Sequence, residues 1–385
     1  MAATQDAKTI DSADSGFTSG PLQTVSPAVR ALDEIQSKAA LASCSDIHLE
    51  PFCGAGRVRV RQDGVLRELR SLPAELFAQV SSRVKILSGM DIAERRAPQD
   101  GRYGFEFQGR TIEARTSAMP TVGGEKIVVR LLDYSARVPR LEDLGMPADL
   151  AQRFRTCVRS ASGFVIVCGP TGSGKTTTLY SALMERDVPA DNVCTIEDPV
   201  EMRLPGLSQV EVNPRAGVSF ASALRGMLRQ DPNAVMVGEL RDGETAAVAS
   251  AASLSGVLVL ASLHARDAVG SLERLRELGI EPRTLAAGLS CVVAQRLLRK
   301  ICSNCAGCGC LLCENSGMSG RIAMFETLFV DDTIRDLISN GASSASLAAA
   351  ARTEGFVPMA DRGADLVRRG LTTRQELDRV SCAAV

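Results

Sequence analysis

Apolar and polar positions follow two different patterns along this chain, and the change falls near residue 146. Upstream, Val29, Leu32 and Ile35 recur at helical spacing between Pro27 and Lys38. Arg57-Val58-Arg59-Val60-Arg61 then alternates with period two, which predicts a strand with one wet face, and Asp63-Gly64 predicts a tight hairpin into Val65-Leu66. A helical period returns from Leu72 to Gly89. Arg102 to Phe107, Thr111 to Thr116 and Lys126 to Leu132 predict three more strands joined by Gly-containing turns. Residues 28–133 therefore read as a compact α+β domain, and 134–145, with charge, one Pro and one Gly, as a linker.

Downstream the strands are mainly apolar: Phe164 to Cys168, Asn192 to Ile196, Ala234 to Val237 and Val257 to Ala261, alternating with helical segments. Strands without a polar face, set between helices, imply an α/β unit with a mainly parallel sheet covered on both sides, here over 146–300. A cysteine-rich insert occupies 301–320. Residues 321–385 read as short helices, notably Asp331 to Ile338 and Thr373 to Val380. Residues 1–27, rich in Ser, Thr, Ala, Asp and Gly, read as a disordered leader, with a tag remnant or a truncated neighbouring domain as alternatives. No internal repeat is visible.

Composition narrows the function classes. The 385 residues suit two or three domains, and 45% apolar with 23% charged residues is ordinary for a globular chain with a real core. A formal net charge of −1 gives no global positive field, and 11 Phe, 3 Tyr and no Trp leave little for base stacking, so both weigh against nucleic acid. No run approaches the roughly 20 apolar residues of a membrane span, and Met1 to Gly20 lacks the apolar core of a secretory signal. Twelve cysteines in a chain of this size, five of them between Cys302 and Cys313, then read as thiols of a reducing compartment that include a metal site.

The strongest motif is Gly169-Pro170-Thr171-Gly172-Ser173-Gly174-Lys175-Thr176, followed by Thr177. It lies between a predicted strand and a predicted helix, the setting a phosphate-binding loop requires. Glycines let backbone N–H groups turn inward around phosphate oxygens, the helix N-terminus adds partial positive charge, Lys175 neutralises the β- and γ-phosphates, and the Thr176 hydroxyl ligates Mg²⁺. Three further strands end in candidate groups. Glu239 closes the strand Ala234 to Val237 and can orient or deprotonate water. Glu197 and Asp198 close a second, and His264 follows a third, where it could sense the γ-phosphate. Alone, a strand-end acid is often solvated and a lone His often structural. Their shared place beyond the carboxyl ends of the strands, where α/β sheets bind ligands, is what gathers them into one site.

These motifs resemble those of the secretion ATPases of type II secretion and type IV pilus assembly. Glu197-Asp198-Pro199-Val200-Glu201 resembles the family's Asp box. Leu224 through Pro232 followed by Gly238-Glu239-Leu240-Arg241-Asp242 resembles its Walker B region, and Ser262-Leu263-His264 its His box. Upstream, Ser45-Asp46-Ile47-His48-Leu49-Glu50-Pro51, Asp63-Gly64 and Glu94 through Arg102 match as well, so the resemblance runs over about residues 30–380. It implies a RecA-like P-loop ATPase domain preceded by a PAS-like α+β domain, a homo-hexameric ring, and a cytoplasmic location peripheral to the inner membrane, where a platform protein is the partner. It also implies that Arg115 and Arg130 approach the nucleotide as arginine fingers do, although an alternating strand Arg is by itself usually solvated, and that Arg225 and Arg229, four apart on one helix face, contact phosphate or a neighbouring subunit. The chain departs from the family pattern where its His box reads Ser262-Leu263-His264-Ala265-Arg266, where Ser255-Gly256-Val257 replaces Thr-Gly-His, and in showing no long N-terminal docking domain.

The family's two CxxC pairs are here Cys302-Ser303-Asn304-Cys305 and Cys310-Leu311-Leu312-Cys313, only four residues apart. Four thiolates suit tetrahedral Zn²⁺, with Cys308 as a spare or competing ligand. Unligated thiols are one alternative. Another is an iron–sulfur cluster on Cys302, Cys305, Cys308 and Cys313, although its last spacing is one residue too long and no Pro follows. The expected activity is hydrolysis of Mg-ATP to power assembly of a secretion pseudopilus or a type IV-like pilus. The rivals are a pilus-retraction motor, a weakly hydrolysing nucleotide-gated scaffold, and a nucleic-acid translocase.

Overall fold

The computed structural model describes residues 26–134 and 137–382; the leader expected over 1–27 lies, up to residue 25, outside the described residues. Helix α1 (Pro27–Leu41) opens with Pro at its first position, where the missing N–H is no loss, and buries Ala28, Leu32 and Ile35. It is followed by β1 (Asp46–Phe52), β2 (Ala55–Gln62), β3 (Val65–Leu72), α2 (Ala74–Leu87), β4 (Gln99–Phe107), β5 (Arg110–Thr121) and β6 (Gly124–Leu132). The six strands form an antiparallel sheet in the order β3-β2-β1-β6-β5-β4. Cys53-Gly54, Asp63-Gly64 and Gln108-Gly109 make three of its two-residue turns, both residues of each at positive φ, a conformation that matches the strand twist. One face packs Ile47, Leu49, Val58, Val60, Ile127 and Val129 under α1 and α2. The other carries the alternate residues, among them Asp46, His48, Glu50, Arg57, Arg59, Arg61, Lys126 and Arg130.

The second unit runs through α3 (Ala148–Val158), β7 (Gly163–Cys168), α4 (Lys175–Leu183), β8 (Val193–Glu197), β9 (Ser208–Glu211), α5 (Phe220–Met227), β10 (Ala234–Val237), α6 (Gly243–Leu254), β11 (Leu258–Leu263), α7 (Gly270–Glu277), α8 (Pro282–Gly288), β12 (Leu289–Ile301) and β13 (Met318–Phe329). Its seven-stranded sheet has the order β13-β12-β7-β11-β10-β8-β9 and is parallel except for β13. Strands β7, β8, β10 and β11 are buried along their whole length, as expected of a sheet covered on both faces. Helices α3 and α4 pack on one side around Phe154, Leu179 and Tyr180, and α5 to α8 on the other around Leu224, Ala246, Leu272 and Leu285. Four helices complete the described residues: α9 (Asp332–Ser339), α10 (Ser344–Thr353), α11 (Met359–Arg368) and α12 (Arg374–Cys382).

The α/β architecture is as the pattern predicts, but four strands differ from the reading. β1, the short edge strand β9 and β12 are absent from it, and where short helices were expected from residue 321 the chain first runs as β13, paired antiparallel with β12 over its length. The reason is that β12 and β13 bury polar side chains, Gln295, Arg296, Glu326 and Thr327, inside their apolar runs, which erases a clean strand period.

Two sets of contacts join the sheets. Near the phosphate-loop side, Arg115 of β5 pairs with Glu211 of β9 at 3.2 Å. At the other edge the β2–β3 hairpin meets the cysteine insert: Arg67 reaches Glu314 at 3.3 Å and Ser316 Oγ at 3.2 Å, and Gly320 N donates to Asp63 at 2.9 Å.

Candidate functional site

The phosphate loop leaves β7 at Cys168 and re-enters helix at Lys175. Gly169 and Gly174 hold φ of +154° and +89°, and a Cβ on either would fall 2.5 Å from Gln295 O or 2.8 Å from Gln295 Nε2. No other residue fits these two positions. Gly169 N donates to Leu263 O at 3.2 Å, tying the loop to β11. Lys175 Nζ donates to the loop carbonyls of Gly169 and Pro170 at 2.9 and 3.0 Å, and partial burial, beside Arg296, lowers its pKa against the pull of Glu239. Ser173 is buried with an unpartnered Oγ, while Thr176 and Thr177 lie half-buried on the first turn of α4.

Glu239 follows β10 and is only 19% exposed. It meets His264 Nε2 at 2.8 Å and Arg241 Nε at 2.6 Å, and Arg241 in turn donates to Asp198 at 3.0 Å. Burial and the nearby Lys175 ammonium lower the His264 pKa, so its imidazole is neutral at physiological pH and can relay a hydrogen bond to Glu239. Gly238 allows this strand end to lie against β8, since a Cβ there would be 3.0 Å from Ile196 O.

The two acids of the Asp-box segment separate in space. Glu197 is 2% exposed and accepts hydrogen bonds from Tyr180 Oη, Thr195 Oγ1 and Gln209 Nε2, the last at 3.2 Å. It is the hub of a buried network, and desolvation raises its pKa. Glu197, expected to assist at the reacting phosphate, is here occupied by these three donors. Glu201 occupies that position: its carboxylate hydrogen-bonds the Thr176 hydroxyl and faces Lys175 and Arg130. Desolvation and the Glu197 carboxylate raise its pKa, and those three partners pull it back. The sequence contained the signal, a second acid four residues on, but spacing alone could not say which one faces the loop.

The arginines also divide. Arg130 pairs with Asp46 at 3.2 Å, is 62% exposed and faces Glu201. Arg115 is engaged by Glu211, Glu113 and Tyr134 at the β9 edge. Arg225 and Arg229 lie outside the site: Arg225 pairs with exposed Glu244 at 2.7 Å and Arg229 donates to Arg225 O on the outer surface of α5.

Cys302, Cys305, Cys310 and Cys313 bring their sulfurs within 4.8 Å of one another, whereas Cys308 is exposed and outside the group. The Asn304 amide at 3.3 Å and the Cys313 N–H bring the Cys310 thiol down to about 6, favouring the thiolate a metal needs. The donor set and its spacing fit zinc, and leaving out Cys308 removes the ferredoxin-like alternative.

A family model for type II/IV secretion system proteins matches residues 22–379. The chain is 45% identical over 367 residues to the type II secretion system protein HxcR of Pseudomonas aeruginosa, covering 93% of this chain and 78% of that protein. It is 40% identical to the type II secretion system ATPase E of Vibrio cholerae, over 92% and 75% of the two chains. The type IV pilus assembly ATPase PilB of Thermus thermophilus is also 40% identical, but the chain spans only 43% of it. Among solved structures, the pilus retraction motor PilT with bound ADP matches with a TM-score of 0.65 and 27% identity over 92% of this chain and 96% of that one. The Legionella pneumophila ATPase DotB, at 20% identity over 94% and 98%, shares the fold with a TM-score of 0.73.

Proposed function

Since the chain belongs to the type II/IV secretion system protein family, and is an ATPase of it, we propose that it hydrolyses Mg-ATP on the Gly169–Thr176 loop to power assembly of a secretion pseudopilus or type IV-like pilus at the inner membrane. The observation that carries the reading is the convergence of Lys175, Thr176, Glu201, Glu239 and His264 on one edge of the second sheet. Lys175 exchanges its two loop carbonyls for phosphate oxygens. Thr176 and Glu201 hold the Mg²⁺ that arrives with ATP. Glu239, kept in place by His264 and Arg241, orients the attacking water, and His264 reports the γ-phosphate to β11. Arg130 already faces this edge. Arg115 must leave Glu211 to join it, so exchange of that ion pair accompanies closure of the two sheets. Arg225 and Arg229, on an outward face, act across the contact with the next subunit of a hexameric ring. A platform protein in the membrane receives the motion; no helix among the described residues is long and apolar enough to cross a bilayer. Cys302, Cys305, Cys310 and Cys313 hold zinc, which when bound fixes the fold of the insert.

Lys175→Ala and Glu239→Gln test the site together. The first abolishes nucleotide binding with the melting temperature unchanged, and the second keeps binding but slows turnover by about 10²–10⁴-fold, the usual worth of a positioned base. Parental turnover in Lys175→Ala would overturn the reading.

A further inference from the structure

Consecutive residues of a strand point to opposite faces of its sheet, and β12 uses two of them at the edge where the nucleotide loops leave. Ala294 of β12 lies in register with Cys168, the last residue of β7, so Gln295 and Arg296 extend just past the start of the phosphate loop. Gln295, 1% exposed, faces α4. Its Oε1 accepts from Thr178 Oγ1 at 2.7 Å, and its backbone O and Nε2 are the atoms that exclude a Cβ from Gly169 and Gly174. Arg296, 6% exposed, faces the other side. Its Nη1 donates to Gln295 O at 3.0 Å and its Nη2 to Arg266 O, two residues after His264. From β13, Glu326 lies opposite Ala294 and anchors the same loop: one carboxylate oxygen accepts from Ala268 N and the other from Met359 N, at the start of α11, both at 2.8 Å.

A buried guanidinium is an expensive way to fill space, since apolar residues of like volume pack there without desolvating a charge. Here the Arg296 guanidinium donates to two backbone carbonyls, one beside the phosphate loop and one on the histidine loop. We propose that Gln295 and Arg296 are positioning residues that fix the two nucleotide loops relative to one another from a single strand, Gln295 setting the phosphate loop and Arg296, with Glu326, the loop that carries His264. The proposal rests on the site reading given above and extends it to side chains that touch no nucleotide. It also gives the C-terminal helices a physical connection to the site, through Glu326 and Met359.

The chain has only two histidines, His48 and His264, on different sheets, so histidine-selective ¹³C labelling yields one reporter in the site and one control outside it. In the full chain, Arg296→Lys keeps the charge but cannot span both carbonyls. It is expected to hold affinity for a non-hydrolysable Mg-ATP analogue within about twofold, lower kcat at least about tenfold, and shift the His264 resonance while His48 stays. Gln295→Leu is expected to do the reverse, weakening the analogue at least about tenfold with the His264 resonance of the free protein unmoved. If Arg296→Lys does not fold, Glu326→Gln loosens the same loop and must give the same turnover and His264 signature. The proposal is overturned if these variants behave as the parent, or if both lose affinity and turnover in equal proportion alongside a falling melting temperature, which is what general loosening gives. Lys175→Ala, run alongside, separates the two levels: full analogue affinity there would discard the nucleotide site itself, whereas lost affinity there with unaffected β12 variants discards this proposal alone.

Discussion

Replacing one cysteine at a time in the insert asks which thiols hold the metal and what the metal supports. Sulfur–sulfur separations are 3.9 Å for Cys302–Cys310 and 3.7 Å for both Cys305–Cys313 and Cys310–Cys313. A tetrahedron of sulfurs with Zn–S of about 2.3 Å has an edge of about 3.8 Å, so the thiols already stand at coordination spacing and far from disulfide contact. The insert has little else to hold it. Leu311 and Leu312 are 92% and 74% exposed, and the reversal passes through positive φ at Ala306, Gly307, Gly309, Glu314 and Asn315. In small zinc modules the metal supplies about 10–16 kcal/mol, shared with folding of the segment, so its loss should unfold the insert locally without unfolding the sheets. The β2–β3 hairpin should then lose its contacts from Glu314, Ser316 and Gly320. Elemental analysis is expected to give one zinc per chain for the parent and for Cys308→Ser, and none for Cys313→Ser. Hydrogen exchange after chelation should rise over residues 302–320 and at Asp63 to Arg67. Loss of metal in Cys308→Ser, stoichiometric iron in the parent, or unchanged protection after chelation would each refute the reasoning.

Other perturbations separate structural acids from the reacting edge. Glu376 of α12, 1% exposed, is held at about 2: burial raises it, but Arg379 and Arg299, with the Arg299 N–H, more than offset that. Because the folded value is depressed from 4.5, its stabilisation is present above pH 4.5 and lost as pH falls toward 2. The difference amounts to about 3 kcal/mol, so melting of Glu376→Gln should show a correspondingly flatter pH profile than the parent across that window. Glu197→Ala leaves three donors without an acceptor and should cost about 2–4 kcal/mol in urea denaturation, whereas Glu201→Gln should leave the urea midpoint in place and reduce turnover; equal effects on stability would contradict their assigned places. Gly174→Ala should weaken nucleotide binding measurably in equilibrium titration, because φ of +89° strains an L side chain and the added carbon displaces the Gln295 amide 2.8 Å away.

Local chemistry already announces much of this protein in one dimension. The Gly169–Thr176 loop is legible because phosphate binding needs adjacent backbone N–H groups, and those come from contiguous residues. The hairpin at Asp63-Gly64 and the all-apolar strands β7, β10 and β11 are legible for the same reason, since turn geometry and two-sided burial each leave a contiguous signature. Even the four-cysteine cluster shows itself through two close CxxC pairs. Other features depend on which segments meet. Nothing in the spacing says that Glu201 rather than Glu197 faces Thr176, that Cys308 points away from the other sulfurs, or that Arg225 lies outside the pocket.

The polar residues of β12 and β13 show the difference most clearly. Read along the chain, Gln295, Arg296 and Glu326 interrupt apolar runs and blur the strand period. In the folded sheet they are buried because their partners, Thr178, the Arg266 carbonyl and the Ala268 and Met359 amides, arrive from 30 to 117 residues away. Burying a polar group is tolerable only once its partner is in place, and that condition is met by the tertiary structure, not by the order of residues.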